Sequence, residues 1–441
     1  MSTIPTGTAP APAREPLLDR VGFPRGLGWG LLAVIVFLIG DGIETTWISN
    51  YLASNDGIAL SEAALVVTIY GIVVAVGSFL SGALAESLGP RRVMLIGVIT
   101  FLVFDLLFIT VAIPSHNLAL LLVIYPLRGL GYPLFGYGFL TWIMYKADPA
   151  KKGSAAGWFW FAFSLGLQVL GSYVSSLFLP RIGEVGTLWI GFAMAAIGGI
   201  GGLLLIREKF TPPQGSEKVS VLSSLVSGLS ISYRVPAIGV GGIVKIINIG
   251  GVTGFSVFYV SYLVQTVHAS VPGAVLMFTF VGILAVIGAL GWGFLADRLG
   301  WRNTVQWFAP TLCFIAVLYL YYVPQFAGAN YLLIDLGGII FGAGLSAFVP
   351  ITALMSGLAP NETGAALSIV NLGSGLAAFV GPAIVAAFLV PLGVGGVVWV
   401  FAGLYAVAFF LMFFMRLPGN ARTLAGVHQD IGAELQSDTT L

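Results

Sequence analysis

The chain has 441 residues, of which 58% are hydrophobic and only 8% are charged. Soluble globular domains carry about 25% charged residues. The formal net charge is +1, and a single cysteine, Cys313, excludes an intrachain disulfide. Apolar segments recur along the whole chain, and about 20 apolar residues suffice to cross a bilayer. The composition therefore predicts an all-α polytopic membrane protein embedded in a lipid bilayer, with no nucleic-acid partner.

The first 25 residues are rich in proline and alanine and lack a compact apolar region with a cleavage site. They predict a disordered N-terminal tail rather than a signal peptide. Apolar runs bounded by charge, glycine or proline then predict twelve transmembrane helices. In chain order these helices are 27–53, 61–88, 92–113, 118–145, 153–179, 185–206, 235–265, 271–296, 303–323, 330–357, 362–390 and 394–415.

A polar, serine-rich segment between residues 207 and 232 separates the first six helices from the last six. It contains the pair Pro212-Pro213 and is typical of a linker. We therefore expect two six-helix bundles between polar tails. The predicted boundaries are 1–25 for the N-terminal tail, 26–206 for the first bundle, 207–233 for the linker, 234–416 for the second bundle and 417–441 for the C-terminal tail.

An internal repeat supports two homologous halves. Residues 82–91 (GALAESLGPR) recur as residues 293–302 (GFLADRLGWR), at an offset of 211. The glycines permit a tight turn, and the acid and arginines are suited to charge-assisted hydrogen bonds near a helix end. We expect both loops to latch one conformation, rather than to be simple turns with solvated charges. The predicted latch residues are Gly82, Glu86, Gly89, Arg91, Arg92, Gly293, Asp297, Arg298, Gly300 and Arg302.

Basic residues are distributed asymmetrically along the chain. Sixteen of the 19 lysines and arginines lie in the tails or in the loops after predicted helices 2, 4, 6, 8 and 10. Cytoplasmic loops carry an excess of these residues. Both termini are therefore predicted to be cytoplasmic.

Asp41 and Glu44 lie within the first apolar run and, three residues apart, are expected to share a helix face. Each costs roughly 2.5–3.5 kcal/mol at the centre of a membrane helix, so both point to a function. Two neighbouring like charges favour binding of a proton by one of them. Proton coupling is the first hypothesis for the pair. The alternative is structural, with either acid neutralising Arg128 or Lys245.

Arg128 and Lys245 are the two basic residues inside predicted helices. Arg128 is expected either to bind a ligand or to form a fixed ion pair between helices 1 and 4. Lys245 and Asn248 share a face of helix 7, and the amide of Asn248 offers both a donor and an acceptor to a hydroxyl group. The alternative for Asn248, and equally for Asn371 on helix 11, is an interhelical hydrogen bond.

Helix 5 begins with an aromatic run that includes Trp160, and Gln168 follows deeper in the helix. Aromatic faces stack on the C–H faces of sugars and polyols, although tryptophan also anchors helices at the membrane interface. Asp105 and Asp335 are single acids without a polar neighbour, so they are interpreted as packing or gating residues outside the site. The sequence has no cluster of metal ligands and no nucleotide-binding or hydrolase motif. No metal, cofactor or catalytic residue is expected.

The repeated loop resembles the signature loop of the major facilitator superfamily. Other stretches resemble one branch, the polyol permeases for ribitol and D-arabinitol. These stretches are 40–44 (GDGIE), 128–129 (RG), 132–135 (YPLF), 157–160 (GWFW), 171–173 (GSY), 182–189 (IGEVGTLW) and 245–248 (KIIN). The resemblance implies proton symport across a bacterial inner membrane by alternating access, and it adds Tyr132 to the expected site.

The leading hypothesis is a proton-coupled uptake carrier for a small polyol that acts as a monomer without a cofactor. Asp41 or Glu44 would take the proton, and helices 1, 4, 5, 7 and 11 would line the substrate site. The rivals are an exporter, an organic-anion or sugar carrier, and a membrane sensor that retains the fold without flux. A membrane enzyme is disfavoured because the sequence lacks a catalytic constellation. The residues expected to bind substrate are Arg128, Tyr132, Trp160, Gln168, Lys245, Asn248 and Asn371.

Overall fold

The computed structural model describes residues 22–45, 47–48, 51–52, 60–208, 210 and 220–417. Within these ranges the chain forms helices and no strand. The helices are α1 (Gly28–Gly42), α2 (Leu60–Leu88), α3 (Pro90–Ser115), α4 (Leu118–Lys146), α5 (152–182), α6 (184–205), α7 (Val221–Arg234), α8 (Pro236–Val267), α9 (Val271–Leu299), α10 (Trp301–Ala327), α11 (Tyr331–Leu358), α12 (363–392) and α13 (394–411).

The helices confirm the predicted all-α membrane fold. Nine continuous helical runs in the described ranges are long and apolar enough to cross a membrane. Two of these runs are double, because Gly183 (φ 68°) and Gly393 (φ 67°) interrupt them with backbone conformations that favour glycine. The kinks are 210 residues apart, close to the offset of the sequence repeat. When these two runs are divided at their kinks and the shorter apolar helix α1 is added, the described chain has the twelve expected membrane helices. Helix α7 is additional.

The first helix is shorter than predicted. The apolar run suggested residues 27–53, whereas α1 ends at Gly42. At that point α1 lies against the backbone of α5, and a Cβ atom on Gly42 would be 2.1 Å from the carbonyl oxygen of Leu167. Glu44 consequently lies in a turn after the helix rather than on the helix face shared with Asp41. Part of the remaining predicted helix, at residues 46, 49–50 and 53, lies outside the described residues.

Helix α4 is broken in its middle, where a single helix over 118–145 was predicted. An α-helical segment ends at Arg128 and another begins at Gly131. Gly129 N–H donates to Pro126 O at 2.8 Å, a tight turn rather than a regular helical bond. Pro133 cannot donate a bond back to the carbonyl of Gly129. The break places Arg128 at a segment end inside the protein.

Buried apolar residues form two large clusters: one lies within residues 231–415, and the other is built mainly from residues 23–206 but also includes Ala289, Val349 and Leu367 of the second half. The two groups of helices meet mainly along α2 against α12 and along α5 against α9. Glycines permit the close approach: a Cβ atom on Gly82 would lie 2.3 Å from Gly364 O, and one on Gly293 would lie 2.7 Å from Gly153 O. The space between the two groups contains the cavities described below.

The linker contains a helix that the sequence analysis missed. Helix α7 packs its small buried residues, Ser224 and Gly228, towards the protein, with Gly228 against Phe79 of α2. At its end, Arg234 makes two hydrogen bonds to Glu362 at the beginning of α12. Residues 209 and 211–219 of the predicted linker lie outside the described residues, as do most of the predicted N-terminal tail and nearly all of the C-terminal tail.

Candidate functional site

A buried charge cluster is centred on Arg128, which is 1% exposed. Its Nη1 bonds to Glu44 Oε1, and its Nη2 donates to Asp41 Oδ1 at 3.1 Å. Its Nε lies 3.3 Å from Asp105 Oδ1, without the alignment of a hydrogen bond. Three carboxyl groups thus surround one guanidinium. If all four groups were ionised, the cluster would carry a net charge of −2 in a buried site.

Two tyrosines complete the cluster. Tyr125 Oη donates to Glu44 Oε1 at 2.8 Å, and Tyr70 Oη donates to Asp41 Oδ1 at 3.1 Å. The guanidinium carbon of Arg128 lies 4.6 Å from the ring centre of Phe101. The hydroxyl groups satisfy carboxylate lone pairs, while the aromatic walls exclude water. Each of the two acids therefore has an additional donor besides the arginine.

Asp105 is the member of this cluster that sequence reasoning placed outside the site. It was interpreted as an isolated packing or gating residue, but it is 4% exposed and faces Arg128 from α3. A π-helical segment, Phe108–Ala112, begins three residues later. Such π segments occur frequently at functional sites. The signal that could have found Asp105 is the rule that every intramembrane acid needs a partner.

Lys245 lies in a different place, in a cavity of about 340 Å³ between the two groups of helices. It is 4% exposed, and its Nζ lies 4.3 Å from the ring centre of Trp160. Among the described residues, no carboxylate forms a salt bridge with it. Leaving a buried ammonium without a counter-charge is costly. The amino group of Lys245 is therefore suited to a ligand with acceptor oxygens.

Polar groups from several helices surround Lys245 in this cavity. Gln168 lies in a second π-helical segment, Leu165–Leu170, which re-aims side chains along α5. Trp160 Nε1 donates to Thr352 Oγ1 at 3.1 Å, and Asn248 Nδ2 donates to Leu345 O at 3.2 Å. The structure thus brings Trp160, Gln168, Lys245 and Asn248 to one cavity, as expected from the sequence.

Tyr132 connects the two regions. It lines the 340 Å³ cavity and also a second cavity of about 570 Å³ between α2 and α12. The second cavity is also lined by Tyr70, whose hydroxyl group binds Asp41. Tyr137 and Ser374 are likewise shared by both cavities. The cavity that contains Lys245, called the ligand cavity below, is therefore separate from the charge cluster around Arg128. Tyr132 and Tyr70 line the second cavity, which lies between them.

Asn371 lies elsewhere. It is fully buried between α12 and α2, where its Nδ2 donates to Ser81 Oγ at 3.2 Å, and it is not among the residues that line the two cavities. Its Oδ1 has no hydrogen-bond partner among the described residues. The geometry corresponds to the interhelical alternative weighed for this residue.

The two repeated loops bridge the halves through their acids. Glu86 Oε1 accepts from Ala365 N–H at 2.8 Å, at the first turn of α12. Asp297 accepts from the backbone N–H groups of Gly153 and Ser154, at the first turn of α5, at 2.8 and 2.7 Å. Carboxylates at helix N-termini are stabilised by the exposed N–H groups and the helix dipole. Each acid therefore caps a helix of the other half.

The arginines of the loops act within their own halves. Arg91 donates to Leu203 O at 2.6 Å, and Arg302 donates to Met412 O at 2.9 Å, so each loop is tied to the end of the last helix of its half. Arg92 and Arg298 are exposed. Gly89 (φ 80°) and Gly300 (φ 90°) make the turns for which glycine was expected. The acids and arginines were expected to form charge-assisted hydrogen bonds near a helix end, and in the structure each acid bonds to N–H groups at the start of a helix in the other half.

Two helix groups that carry the same internal repeat, with a cavity between them and buried charges, are typical of a membrane transporter. The chain belongs to the Major Facilitator Superfamily, whose sequence profile matches residues 29–334 and 241–437.

The chain is 41% identical over 409 residues to an alpha-ketoglutarate permease of Bacillus subtilis (strain 168), covering 92% of each chain. It is 35% identical over 402 residues to a ribitol transporter of Klebsiella pneumoniae, covering 90% of this chain and 94% of the relative. The expected resemblance to polyol permeases is thereby confirmed. Among solved structures, FucP in its outward conformation superposes with a TM-score of 0.67 at 16% identity, covering 89% of this chain and 100% of FucP.

Proposed function

We propose that this protein is a proton-coupled uptake transporter that works by alternating access, and that its substrate is a small organic acid. The observation that carries the proposal is the division of buried charge. Three carboxyl groups share Arg128, whereas Lys245 stands in the cavity without a carboxylate among the described residues. The cluster has an excess of groups that bind protons, and the cavity has an unmatched positive charge that an anionic substrate would neutralise.

The charge cluster supports proton coupling through electrostatics. Removing a charge from water into a low-dielectric interior costs several kcal/mol, so a buried net charge of −2 favours proton binding. Asp41 and Glu44 bond directly to Arg128, and we assign proton coupling to these two carboxyl groups. Asp105 adds a third carboxyl group. The tyrosines give a physical route by which a ligand in the cavity influences the cluster.

The ligand cavity supports an organic acid. A charge-assisted bond from Lys245 to a carboxylate is stronger than a bond between neutral groups. Trp160 holds the ammonium in position, and Gln168 and Asn248 offer amide groups to a second carboxylate, a keto oxygen or a hydroxyl group. A relative that shares 41% of the sequence is named an alpha-ketoglutarate permease, which agrees with this chemistry.

A small polyol is the second candidate, in line with the sequence-based hypothesis. The feature that favours it is the combination of an aromatic face on Trp160 with the amides of Gln168 and Asn248, which suits a chain of hydroxyl groups. The ribitol transporter of Klebsiella pneumoniae supports this candidate. For a neutral substrate, Lys245 would act as a hydrogen-bond donor rather than as a counter-charge.

The proposed orientation places both termini in the cytoplasm of a bacterial cell, with the protein in the inner membrane. The latch acids then lie at the cytoplasmic end, where they hold the two halves together. The cavity between α2 and α12 approaches the opposite end of these helices, at Val67 and Ala386. This arrangement corresponds to a state closed towards the cytoplasm. Uptake would require the helix caps at Glu86 and Asp297 to open.

The first experiment records external pH in a weakly buffered, energised suspension of cells that express the protein. Sodium salts of 2-oxoglutarate and succinate, then ribitol and D-arabitol, are added in turn. An organic acid is expected to cause alkalinisation, because a proton enters with each substrate. Asp41→Asn and Glu44→Gln should reduce or abolish this signal. Asp335→Asn, which removes a membrane acid outside the cluster, is the matched control and should retain it.

The substrate class is tested on Lys245 in the same cells by uptake of labelled compounds. Lys245→Gln should raise the KM for the organic acid by about 10- to 100-fold, because a charge-assisted bond is lost, while Lys245→Arg should retain part of the affinity. If only polyols produce uptake and alkalinisation, the organic-acid proposal is wrong and proton coupling stands. If labelled substrate accumulates without any change in pH, the proposed proton coupling is wrong.

A further inference from the structure

A groove of about 570 Å³ lies on the outside of the first half, at the level where α3 begins and α6 ends. Two arginines, Arg91 and Arg92, line it together with Leu95, Leu204 and Phe210. It is remote from the charge cluster and from the ligand cavity, with which it shares no lining residue. Proton coupling and substrate binding leave this groove unexplained.

We propose that this groove binds the phosphate of an anionic phospholipid, with an acyl chain lying against the leucines. Basic grooves between membrane helices on the cytoplasmic side are suited to anionic headgroups. Arginine is well matched to phosphate because its planar fork donates several hydrogen bonds. The ligand is therefore a lipid such as phosphatidylglycerol, held from the cytoplasmic leaflet under the proposed orientation.

The arginine geometry supports the phosphate end of the site. Arg91 donates to Leu203 O at 2.6 Å, so its guanidinium is held in place across α3 and α6, and no salt bridge among the described residues includes it. Arg92 is exposed, and no salt bridge in the described part of the chain includes it. Two neighbouring positive charges, one of them fixed, provide charge-assisted bonds to a phosphodiester.

The apolar wall supports the lipid end. Leu204 is 69% exposed and Leu95 is 44% exposed, and both line the groove. Leu95 follows Arg91 by four residues, so it lies about 6 Å deeper along the helix. An acyl chain attached to a phosphate at Arg91 would run in this direction, towards the bilayer interior. A soluble phosphate would leave this wall uncovered.

The second half of the molecule offers an internal comparison. At the repeat offset of 211, Arg302 stands in place of Arg91 and likewise bonds to a carbonyl at the end of its half, Met412 O. Its guanidinium also lies 5.7 Å from the ring centre of Phe413. The position of Arg92, however, is taken by Asn303. The repeat therefore retains the structural arginine in both halves, whereas the pair of neighbouring arginines at the beginning of α3 has no counterpart at the beginning of α10, where Asn303 follows Arg302.

The test is native mass spectrometry of the purified full-length protein in detergent, with dioleoyl phosphatidylglycerol or dioleoyl phosphatidylcholine added at equal concentration. The parent is expected to retain phosphatidylglycerol in preference to phosphatidylcholine. Arg92→Asn, which gives the first half the residue of the second, should reduce this preference by about tenfold. Arg181→Gln removes an exposed positive charge from the end of α5, at the opposite end of the helices, and should leave the preference unchanged.

A soluble competitor and a second variant keep the result decisive. sn-Glycerol 3-phosphate, added in excess, should fail to displace the lipid, because it lacks the acyl chain that covers Leu95 and Leu204. Leu204→Asn should weaken lipid retention without changing the charge. The proposal is overturned if Arg92→Asn retains as much phosphatidylglycerol as Arg181→Gln, or if the soluble phosphate binds as well as the lipid.

Discussion

Arg128 is the residue on which the buried electrostatics of the first half depend. It contacts Asp41 and Glu44 by hydrogen bonds and faces Asp105 at 3.3 Å, all of them nearly inaccessible to solvent. A buried ion pair of this kind is costly to form, but breaking it by removing one partner costs roughly 3–5 kcal/mol. The cluster is therefore expected to stabilise the fold and to be the site at which protons bind.

Arg128→Gln is expected to abolish transport and to lower the melting temperature of the purified protein, because three buried carboxyl groups lose their only guanidinium. The loss of stability should be of the order of 3–5 kcal/mol. Adding Glu44→Gln to Arg128→Gln should recover part of it, because one of the unpaired acids is then neutral. A double-mutant cycle of unfolding in detergent measures this coupling.

Asp335→Asn is the matched control, since it removes a buried acid outside the cluster. Equal stability losses in Arg128→Gln and in the double variant would contradict the prediction. Such a result would mean that the bond between Glu44 and the arginine contributes no charge-pair energy.

The sequence allowed part of this cluster to be predicted. The cost of a buried charge identified Asp41, Glu44 and Arg128, and the pairing of helices 1 and 4 was weighed as an alternative. Asp105 was missed because its partner lies 23 residues away on another helix, and nothing in its immediate sequence indicates that contact. The role of Asn371 depends on whether its side chain points towards the cavity or towards a neighbouring helix, and hydropathy alone does not determine that direction.

At the level of helices, the number and approximate positions of the membrane elements follow from hydropathy. Their irregularities follow from contacts that only the folded molecule contains. A Cβ atom on Gly42, the last residue of α1, would be 2.1 Å from the carbonyl oxygen of Leu167, and one π segment follows Asp105 while another contains Gln168. Helix α7 was interpreted as linker because its composition is rich in serine. Its partners, α2 and α12, are distant in sequence.

The close approach of α2 to α12 depends on glycine. A Cβ atom on Gly82 would lie 2.3 Å from Gly364 O, and Gly82→Ala should therefore push the helices apart at the latch end. Overpacking of this kind costs roughly 1–3 kcal/mol. That cost is enough to shift a two-state equilibrium by about 5- to 150-fold. The variant should favour the state open at this end and lose transport.

A buried reporter detects this shift. Ser356 of α11 is fully buried and accepts a hydrogen bond from Lys152 of α5, in the other half of the molecule. It is replaced by cysteine. Its labelling by N-ethylmaleimide should be faster in Gly82→Ala than in the parent. Gly71→Ala on the same helix is the control, because a Cβ atom there meets nothing within 4 Å. Unchanged labelling, or an equal increase in Gly71→Ala, would show that this contact does not hold the halves together.

At the scale of the whole molecule, the two halves repeat one design but divide the chemistry between them. The first half holds the charge cluster around Arg128, whereas Lys245 in the second half faces the cavity. The latch acids Glu86 and Asp297 cap helices of the opposite half at a single end. Such an arrangement suits the alternating access that we propose, in which only one end opens at a time.

The predicted orientation places the latch end in the cytoplasm, because most of the basic residues lie there. Two exposed positions near opposite ends of the helices, Arg181 and Asn303, are suited to single cysteine substitutions. Since Cys313 is fully buried, the parent should give little background labelling. A membrane-impermeant maleimide applied to intact cells should label Arg181→Cys and leave Asn303→Cys unlabelled until the membrane is opened. The reverse pattern would mean that the latch end faces away from the cytoplasm. The structure would then be closed towards the outside of the cell, and the proposed lipid would come from the outer leaflet.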